Sequence, residues 1–442
     1  MYNRRIYGET KRDSEISLRC FVKKHGTGRN SPSRSRVLLK SHPLVNSSAA
    51  VSKGSRREEP GCQPFMSKKL IIAGGGIGGI AAALALHRAG IDVTVFERAP
   101  AFTEVGAGMS LWPNATRVLQ SLGVLEAVMA RGEPVTHFNL KRPDGKMISS
   151  IAMSGFPTPA LCIHRADLHR ALRDSLPAGC LKANQLLQAF AQEHDGITVK
   201  FADGLEARAD GLIGADGINS VVRSQIHGAF EPIYRGYCIW RGIAPEFPGA
   251  VHGHISETWG SGHRFGIMPM GQGRVCWYAT RNGPPSQLDA PEGRKSELQA
   301  LFQDWHDPIP ALVEATHPGD IIKNDARDRK PLRQWGDRRV TLLGDAAHPI
   351  TPNVGQGACM AIEDAACLAK CLLASADVVS AFRAYEAMRG PRTAHIARQA
   401  RRIGAIGQWE NPWIVKGRNL ITRLVLSRSP DIQLNAIYAY EV

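Results

Sequence analysis

The sequence predicts an α/β fold: a Rossmann-like dinucleotide-binding domain into which a β-sheet domain is inserted, with helices at the C-terminal end. Three observations predict it. An apolar strand, a glycine turn and a helix follow one another from Lys69 to Leu84. Two later apolar runs stop at Asp216-Gly217 and at Gly344-Asp345, as buried strands ending in turns do. The stretches at about 134–160 and 231–317 alternate with the period of strands rather than of helices.

The glycine turn organises the rest. Gly74, Gly76 and Gly79 satisfy the spacing G-x-G-x-x-G. The first glycine permits a tight turn, the second lets a pyrophosphate approach the backbone, and the third lets the helix pack close to the strand. Free amides at the helix start, with the positive end of the helix dipole behind them, face the phosphates. The second strand, Ile91–Phe96, is followed by Glu97, 21 residues beyond Gly76. A carboxylate at that place accepts hydrogen bonds from a ribose diol. This context predicts a dinucleotide ligand and leaves open which one; a chance glycine-rich turn is the alternative.

Length and composition bound the remaining possibilities. A chain of 442 residues has room for two or three domains and an ample core. The hydrophobic fraction of 43% is ordinary for a globular protein. The longest apolar run, Leu70–Leu86, is broken by the glycines, and a membrane helix needs ~20 continuous apolar residues. No integral membrane segment is expected. Of the formal charge of +15, most sits in residues 1–66, which hold 14 Lys+Arg against 5 Asp+Glu. The remainder holds 41 against 35, so the high pI is no argument for a nucleic-acid partner. Nine cysteines without a C-x-x-C pair fit free thiols in a reducing, cytoplasmic setting and predict no metal site.

Residues 1–66 carry no hydrophobic period and are rich in Ser, Arg and Lys. They read as a disordered basic leader or a misassigned start, with Met66 as the natural first residue. Glu9, Asp13 and Glu15 run against an organelle transit peptide, which stays as the alternative. Residues 67–133 form the first part of the nucleotide-binding domain, including a helix at Ala115–Leu122 capped by Asn114. Residues 134–160 begin the inserted domain with a hairpin, Val135–Leu140 and Met147–Ile151, around Pro143-Asp144-Gly145. Residues 161–230 return to the first domain. They supply a helix after His164, strands Ile197–Phe201 and Leu205–Ala209, the buried strand into Asp216-Gly217, and a helix from Ser220.

Residues 231–317 complete the inserted domain with strands at Tyr237–Arg241, Arg264–Pro269 and Gly273–Ala279. Trp240, Trp259, Trp277 and Trp305 fall here, as sheet core or as the wall of an apolar ligand site. Residues 318–378 close the nucleotide-binding domain with a strand into Gly344-Asp345, a proline-glycine loop from Ile350 to Gly357, and a helix from Ala358 to Leu373. Residues 379–442 read as C-terminal helices.

In this fixed order the three turns resemble those of the single-component FAD-dependent aromatic hydroxylases, the flavoprotein monooxygenases of the para-hydroxybenzoate hydroxylase type. The resemblance covers about 67–430. Within that family the chain is most similar to the branch of salicylate, hydroxybenzoate, hydroxynicotinate and urate hydroxylases and zeaxanthin epoxidase-like proteins. The resemblance implies an enzyme that uses NADH or NADPH and O2 to hydroxylate a small aromatic, carboxylated substrate through a flavin hydroperoxide, with FAD as cofactor. Alkene epoxidation by the same oxygen chemistry, or FAD binding without catalysis, are the alternatives. A homodimer is left open.

Position by position, the resemblance implies that Gly74, Gly76, Gly78 and Gly79 bind the pyrophosphate. Glu97 would hold the adenosine ribose with Arg98 beside the adenine end, and Ser110 and Arg165 would lie along the cofactor. Leu187 would touch the adenine side through its backbone. Asp216 and Gly217 would belong to the segment shared by FAD and pyridine nucleotide, and Asp345 would hydrogen-bond the ribitol. Pro352, Gly355, Gln356, Gly357 and Ala358 would wrap the pyrimidine side of the ring. Tyr237, Arg241, Arg264 and Pro352 are the candidates at the reacting end, with the two arginines as a carboxylate clamp or as structural ion pairs. Arg264 matches an arginine of the urate-type relatives, whereas Ile239 and Cys276 stand where that branch has polar residues, which weighs against urate. The places of Tyr237 and Trp240 carry no histidine base. His348 reads as structural. A flavin halogenase would need a W-x-W-x-I-P run, and a disulfide oxidoreductase a cysteine pair with a second nucleotide motif; the sequence has neither.

Overall fold

The computed structural model describes residues 68–102, 106–245, 247, 251–285, 291–428 and 436–442. The leader expected over 1–66 lies outside the described residues. Lys69–Ala73 is the middle strand of a five-stranded sheet with the order Val340–Leu342, Gly211–Gly214, Lys69–Ala73, Asp92–Phe96, Leu181–Lys182. Every pairing in it is parallel. Such strands are covered on both faces, which is why they read as unbroken apolar runs. Ala73 stands opposite Gly214, and Gly214 opposite Leu342. The three turns therefore leave adjacent strands at the same carboxyl edge, although the first and third are some 270 residues apart. Ligands of open parallel sheets bind at that edge.

The second sheet has seven strands, in the order Ile322–Asp328, Ile233–Ala244, Val275–Asn282, His263–Pro269, His254–Trp259, His137–Lys141, Met147–Ala152. The hairpin forms as predicted, His137–Lys141 running antiparallel to Met147–Ala152. The period of two divides this sheet into a packed face and an open one. Trp240, Phe265, Val275 and Trp277 point into a core shared with the helices Pro291–Phe302 and Ile309–Ala315. Arg241, Met268, Cys276 and Tyr278 point the other way. Of the four tryptophans, Trp240, Trp277 and Trp305 belong to that packed cluster, and Trp259 faces the open side.

Two expectations change in detail. The helix after the second strand runs Pro113–Ser121, and Asn114 lies inside it rather than capping it. Pro113 presets the φ of the first helical residue, so the helix starts early and frees the Asn114 side chain for a tertiary role. Ser220 does act as a cap: its hydroxyl accepts the Arg223 amide at 2.8 Å, and the helix starts at Val221. The short strand Glu133–Val135 pairs with Ala160–His164 in a separate three-stranded sheet. It is too brief for its periodicity to register. The C-terminal part forms a 30-residue helix, Val378–Gly407, and a second helix, Pro412–Arg428. Among the described residues no helix is long and apolar enough to cross a membrane.

Candidate functional site

A cavity of about 1370 Å³ extends from the carboxyl edge of the parallel sheet to the open face of the seven-stranded sheet. Gly74, Gly76 and Gly78 line one end of it. Gly74 has φ +109°, and a Cβ there would lie 2.4 Å from the Ala215 carbonyl oxygen, so this turn fits against the Asp216 turn only without a side chain. Gly79 faces inward, not into the cavity; its Cβ would lie 2.0 Å from the Gly74 carbonyl oxygen. It shapes the turn and does not line the site. The Gly75 and Ala99 amides donate to the two Glu97 carboxylate oxygens at 2.6 and 2.9 Å. His169, buried, bonds the Gly75 carbonyl oxygen at 2.7 Å. The turn is thus braced from both sides, with Glu97 and the exposed Arg98 at the cavity wall.

Leu187, Arg165, Asp216, Gly217 and Asp345 also line the cavity. One Asp216 oxygen accepts the amides of Val221 and Val222 at 2.7 and 3.2 Å, so this carboxylate caps a helix. The other is buried and has no protein partner. Burial raises its pKa, opposed by its hydrogen bonds to Ser220 and to the helix amides. Asp345 lines the cavity and is exposed to it, and desolvation by the surrounding protein raises its pKa, opposed by the charges of His348 and Arg165.

The far loop supplies Pro352, Gly355, Gly357 and Ala358, which line the cavity beside Ser110. Gly355 has φ +60° and ends the short helix Pro352–Val354; a Cβ would meet Ser110 Oγ and Trp112 Nε1, each at 2.7 Å. The helix Gly357–Ala374 starts here, so its free amides open onto the site. Gln356 is fully buried and is not part of the wall: its side chain accepts from Asn114 Nδ2 at 2.9 Å.

A buried ionic network holds this loop. Glu363 and Asp364, both 0% exposed, face Arg389, also 0% exposed, on the long helix. Arg389 Nε donates to Asp364 at 2.7 Å, and Arg392 bonds Glu363 at 2.6 and 2.7 Å. His348 Nε2 meets Asp364 at 2.6 Å, and the Gly344 amide donates to the same oxygen at 3.1 Å. Asn114 Nδ2 joins Glu363 at 2.6 Å. His348 thus takes part in this network. Burial alone would raise the Asp364 pKa, but the charges of His348 and Arg389 outweigh it and hold the carboxyl at about 2, below the ordinary 3.8. A depressed carboxyl contributes stability above the unfolded-state pKa, and the contribution is lost as pH falls through the folded value. The thermal midpoint is therefore expected to fall between pH 4 and pH 2, more steeply in the natural protein than in Asp364→Asn, by scanning calorimetry at matched ionic strength.

At the reacting end the two arginines differ. Arg264 is 2% exposed and committed: Nε donates to Glu257 at 2.6 Å and Nη1 to Asn353 at 2.6 Å. Burial would lower its pKa, and Glu257 more than restores it. The Gly407 position leaves room for it, since a Cβ there would lie 2.9 Å from Arg264 Cδ. Of the two predicted alternatives, Arg264 takes the ion pair. Arg241 is half-buried on the cavity wall; its electrostatic neighbours are Cys276 and Arg165, and among the described residues no carboxylate pairs with it. Desolvation lowers its pKa. Tyr237 is buried and off the wall; its hydroxyl accepts from Asn353 Nδ2 at 2.8 Å.

Sequence reasoning missed Glu257, Asn353, Trp112 and Tyr438. Asn353 lay inside the proline-glycine loop but carried no motif. Glu257 sits in an ordinary strand. Trp112 and Tyr438 stack with ring centroids 4.8 Å apart, across more than 300 residues of chain, and both line the cavity.

The family model described as the FAD binding domain matches residues 67–400. The chain is 42% identical over 366 residues to an aurachin C monooxygenase/isomerase of Stigmatella aurantiaca, covering 82% of this chain and 95% of that protein. It is 33% identical to a 6-hydroxynicotinate 3-monooxygenase of Bordetella bronchiseptica, covering 79% and 93%. The structure of Klebsiella pneumoniae HpxO with FAD and uric acid superposes with a TM-score of 0.77 at 27% identity, covering 84% of this chain and 96% of that one.

Proposed function

Because the chain belongs to the FAD-dependent monooxygenases of the aromatic hydroxylase family, we propose that it uses NADH or NADPH and O2 to hydroxylate a small aromatic substrate bearing a carboxylate. The observation that carries this reading is the pairing, in one cavity, of a glycine-and-carboxylate cradle with an apolar wall that holds the guanidinium of Arg241, which has no carboxylate partner among the described residues.

The residues fit FAD. The turn at Gly74 admits no Cβ, Asp216 keeps a buried oxygen without a protein partner, and the Gly357 helix opens its amides to the cavity. The cavity exceeds the ~300–1,000 Å³ of an ordinary small-ligand site, which leaves room for a second ligand. The Gly74–Gly78 turn would take the pyrophosphate, Glu97 a ribose, and Asp345 the ribitol. When bound and reduced, FAD activates dioxygen and delivers one oxygen atom to an electron-rich ring.

The chain's own residues set the conditions for that chemistry. The amides of Gly357 and Ala358, at a positive helix end, would stabilise negative charge on the ring system. Phe138, Ile255, Ile239 and Met268 keep water from the reacting end. Tyr278, its pKa raised by burial and by Glu257, stays protonated there. Arg241 anchors the carboxylate, and the Glu257–Arg264 pair stays closed on itself and shapes the pocket.

A charge-assisted hydrogen bond contributes about 1.5–3 kcal/mol. Arg241→Met is therefore expected to raise KM for a carboxylated aromatic about 10- to 100-fold while leaving FAD content unchanged. The functional test is a panel of aromatic acids and their amides, screened for stimulated NADH and NADPH oxidation. Product mass is checked for one added oxygen. Stimulation by the amides as strong as by the acids would remove the carboxylate from the reading. A flavoprotein that no aromatic stimulates would return it to the epoxidase or the non-catalytic alternative.

A further inference from the structure

The helix Pro412–Arg428 turns an apolar side to solvent. Trp413 is 78% exposed, Leu420 60%, Ile421 62%, and Ile414, Leu424 and Val425 between 43% and 49%. At 100° per residue these fall in one stripe ~140° wide. The side next to Val425 is fixed to the protein: Val415 and Arg418 are buried, and Arg418 donates to the carbonyl oxygens of Gly260 and Gly407, each at 3.1 Å. Lys416 and Arg423, both exposed, border the stripe on one flank. The 17 residues contain no Asp or Glu. Trp409, 41% exposed, extends the apolar surface at the N-terminal end, and Lys416 Nζ lies 4.6 Å from the Trp413 ring centre.

The stripe also meets the cavity. Ile421 and Val425 belong to both, and Ile403 and Ile406 continue the apolar wall inward. A contiguous exposed patch of this kind marks an interaction surface. Basic residues beside it, no acidic residue within the helix, and tryptophan at its edge complement the anionic headgroups and the acyl boundary of a membrane.

We propose that Pro412–Arg428 docks in the headgroup region of an anionic lipid bilayer, stripe inward, so that the cavity mouth at Ile421 and Val425 opens toward the acyl layer. Lys416 and Arg423 would contact lipid phosphates, while Trp413 and Leu420 would enter the boundary. The docking does not depend on which aromatic is oxidised.

Flotation of the full FAD-loaded chain with vesicles tests it. Vesicles of phosphatidylcholine alone are compared with vesicles containing a third phosphatidylglycerol, at low and high salt. Binding is expected on the anionic vesicles and should weaken with salt. Trp413→Ser/Leu420→Ser should lower the vesicle affinity about tenfold or more. Lys416→Glu/Arg423→Glu should abolish the preference for anionic lipid. Both variants should retain FAD and the thermal midpoint of the natural protein; should the apolar variant fail to fold, the charge variant decides alone. Natural protein that stays unbound on anionic vesicles overturns the proposal. So does binding that the helix variants leave unchanged, as it would be if the basic leader alone held the lipid. A dimer that Trp413→Ser/Leu420→Ser dissociates would assign the stripe to a second copy instead. Protein that floats with vesicles yet oxidises NAD(P)H with no aromatic refutes the proposed reaction and not the docking.

Discussion

Gly79→Ala is expected to give a protein that folds and emerges from purification without its yellow colour. The added methyl group would sit 2.0 Å from the Gly74 carbonyl oxygen, a backbone atom of the turn itself. No rotamer change relieves such a contact, so either the helix Ile77–Arg88 moves off the strand or the turn opens. Both displace the Gly75 amide from Glu97 and the Gly75 carbonyl from His169. Overpacking of this kind costs about 1–3 kcal/mol in a core, and here the distortion falls on the groups that would receive the pyrophosphate. FAD bound per chain, measured by absorbance after desalting, should fall about tenfold or more. Gly78→Ala is the informative comparison. Its Cβ would lie 2.8 Å from Leu343 Cδ2, the tip of a flexible side chain, and 3.1 Å from Ala361 Cβ. That variant should stay yellow with a smaller loss of affinity. Stoichiometric FAD in Gly79→Ala would show that the turn tolerates the close approach by another route.

The second large effect is on stability. Arg389→Met should lower the unfolding free energy by about 3–5 kcal/mol, because it leaves Asp364 and Glu363 buried with fewer countercharges. The loss would not stay local. Asp364 holds the Gly344 amide and His348, and Glu363 holds Asn114, which in turn holds Gln356. The loop that carries Gly355 and the turn that carries Asp345 are both tied to this network. Urea unfolding followed by tryptophan emission should show a lower midpoint with an unchanged slope, and FAD should dissociate at lower urea than from the natural protein. Exposed pairs such as Arg142–Asp144 provide the control, since their removal should shift the midpoint within experimental scatter.

Much of the nucleotide half was legible because its signals are local. A strand, a turn that needs glycine and a helix occupy consecutive residues, and the requirement for no Cβ at Gly74 and Gly79 is written in the residue type. The hairpin around Pro143-Asp144-Gly145 was legible for the same reason. The substrate half was not. Arg241 and Arg264 are both arginines on strands of one sheet, and nothing in their flanks separates a guanidinium locked by Glu257 from one left facing the cavity. Their difference depends on which strand lies beside which: Glu257 and Arg264 are near neighbours on two antiparallel strands, and Arg241 lies two strands away from His263–Pro269. Gln356 and Tyr237 lie off the cavity wall on similar grounds, each bonded to a partner distant in sequence, Asn114 for one and Asn353 for the other.

The amino-acid order alone determined that this protein has a parallel sheet with a glycine turn, an inserted β-sheet and helices at its end. Those follow from periodicity and from residues whose backbone needs are unique. Tertiary structure alone decided that residues 74, 216 and 345 share one edge, that two buried carboxylates meet one buried arginine, and which of the two sheet arginines is locked by a carboxylate. The physical reason is range: backbone preferences act between neighbours, whereas burial, pairing and desolvation depend on segments hundreds of residues apart and are fixed only when strand order brings them together.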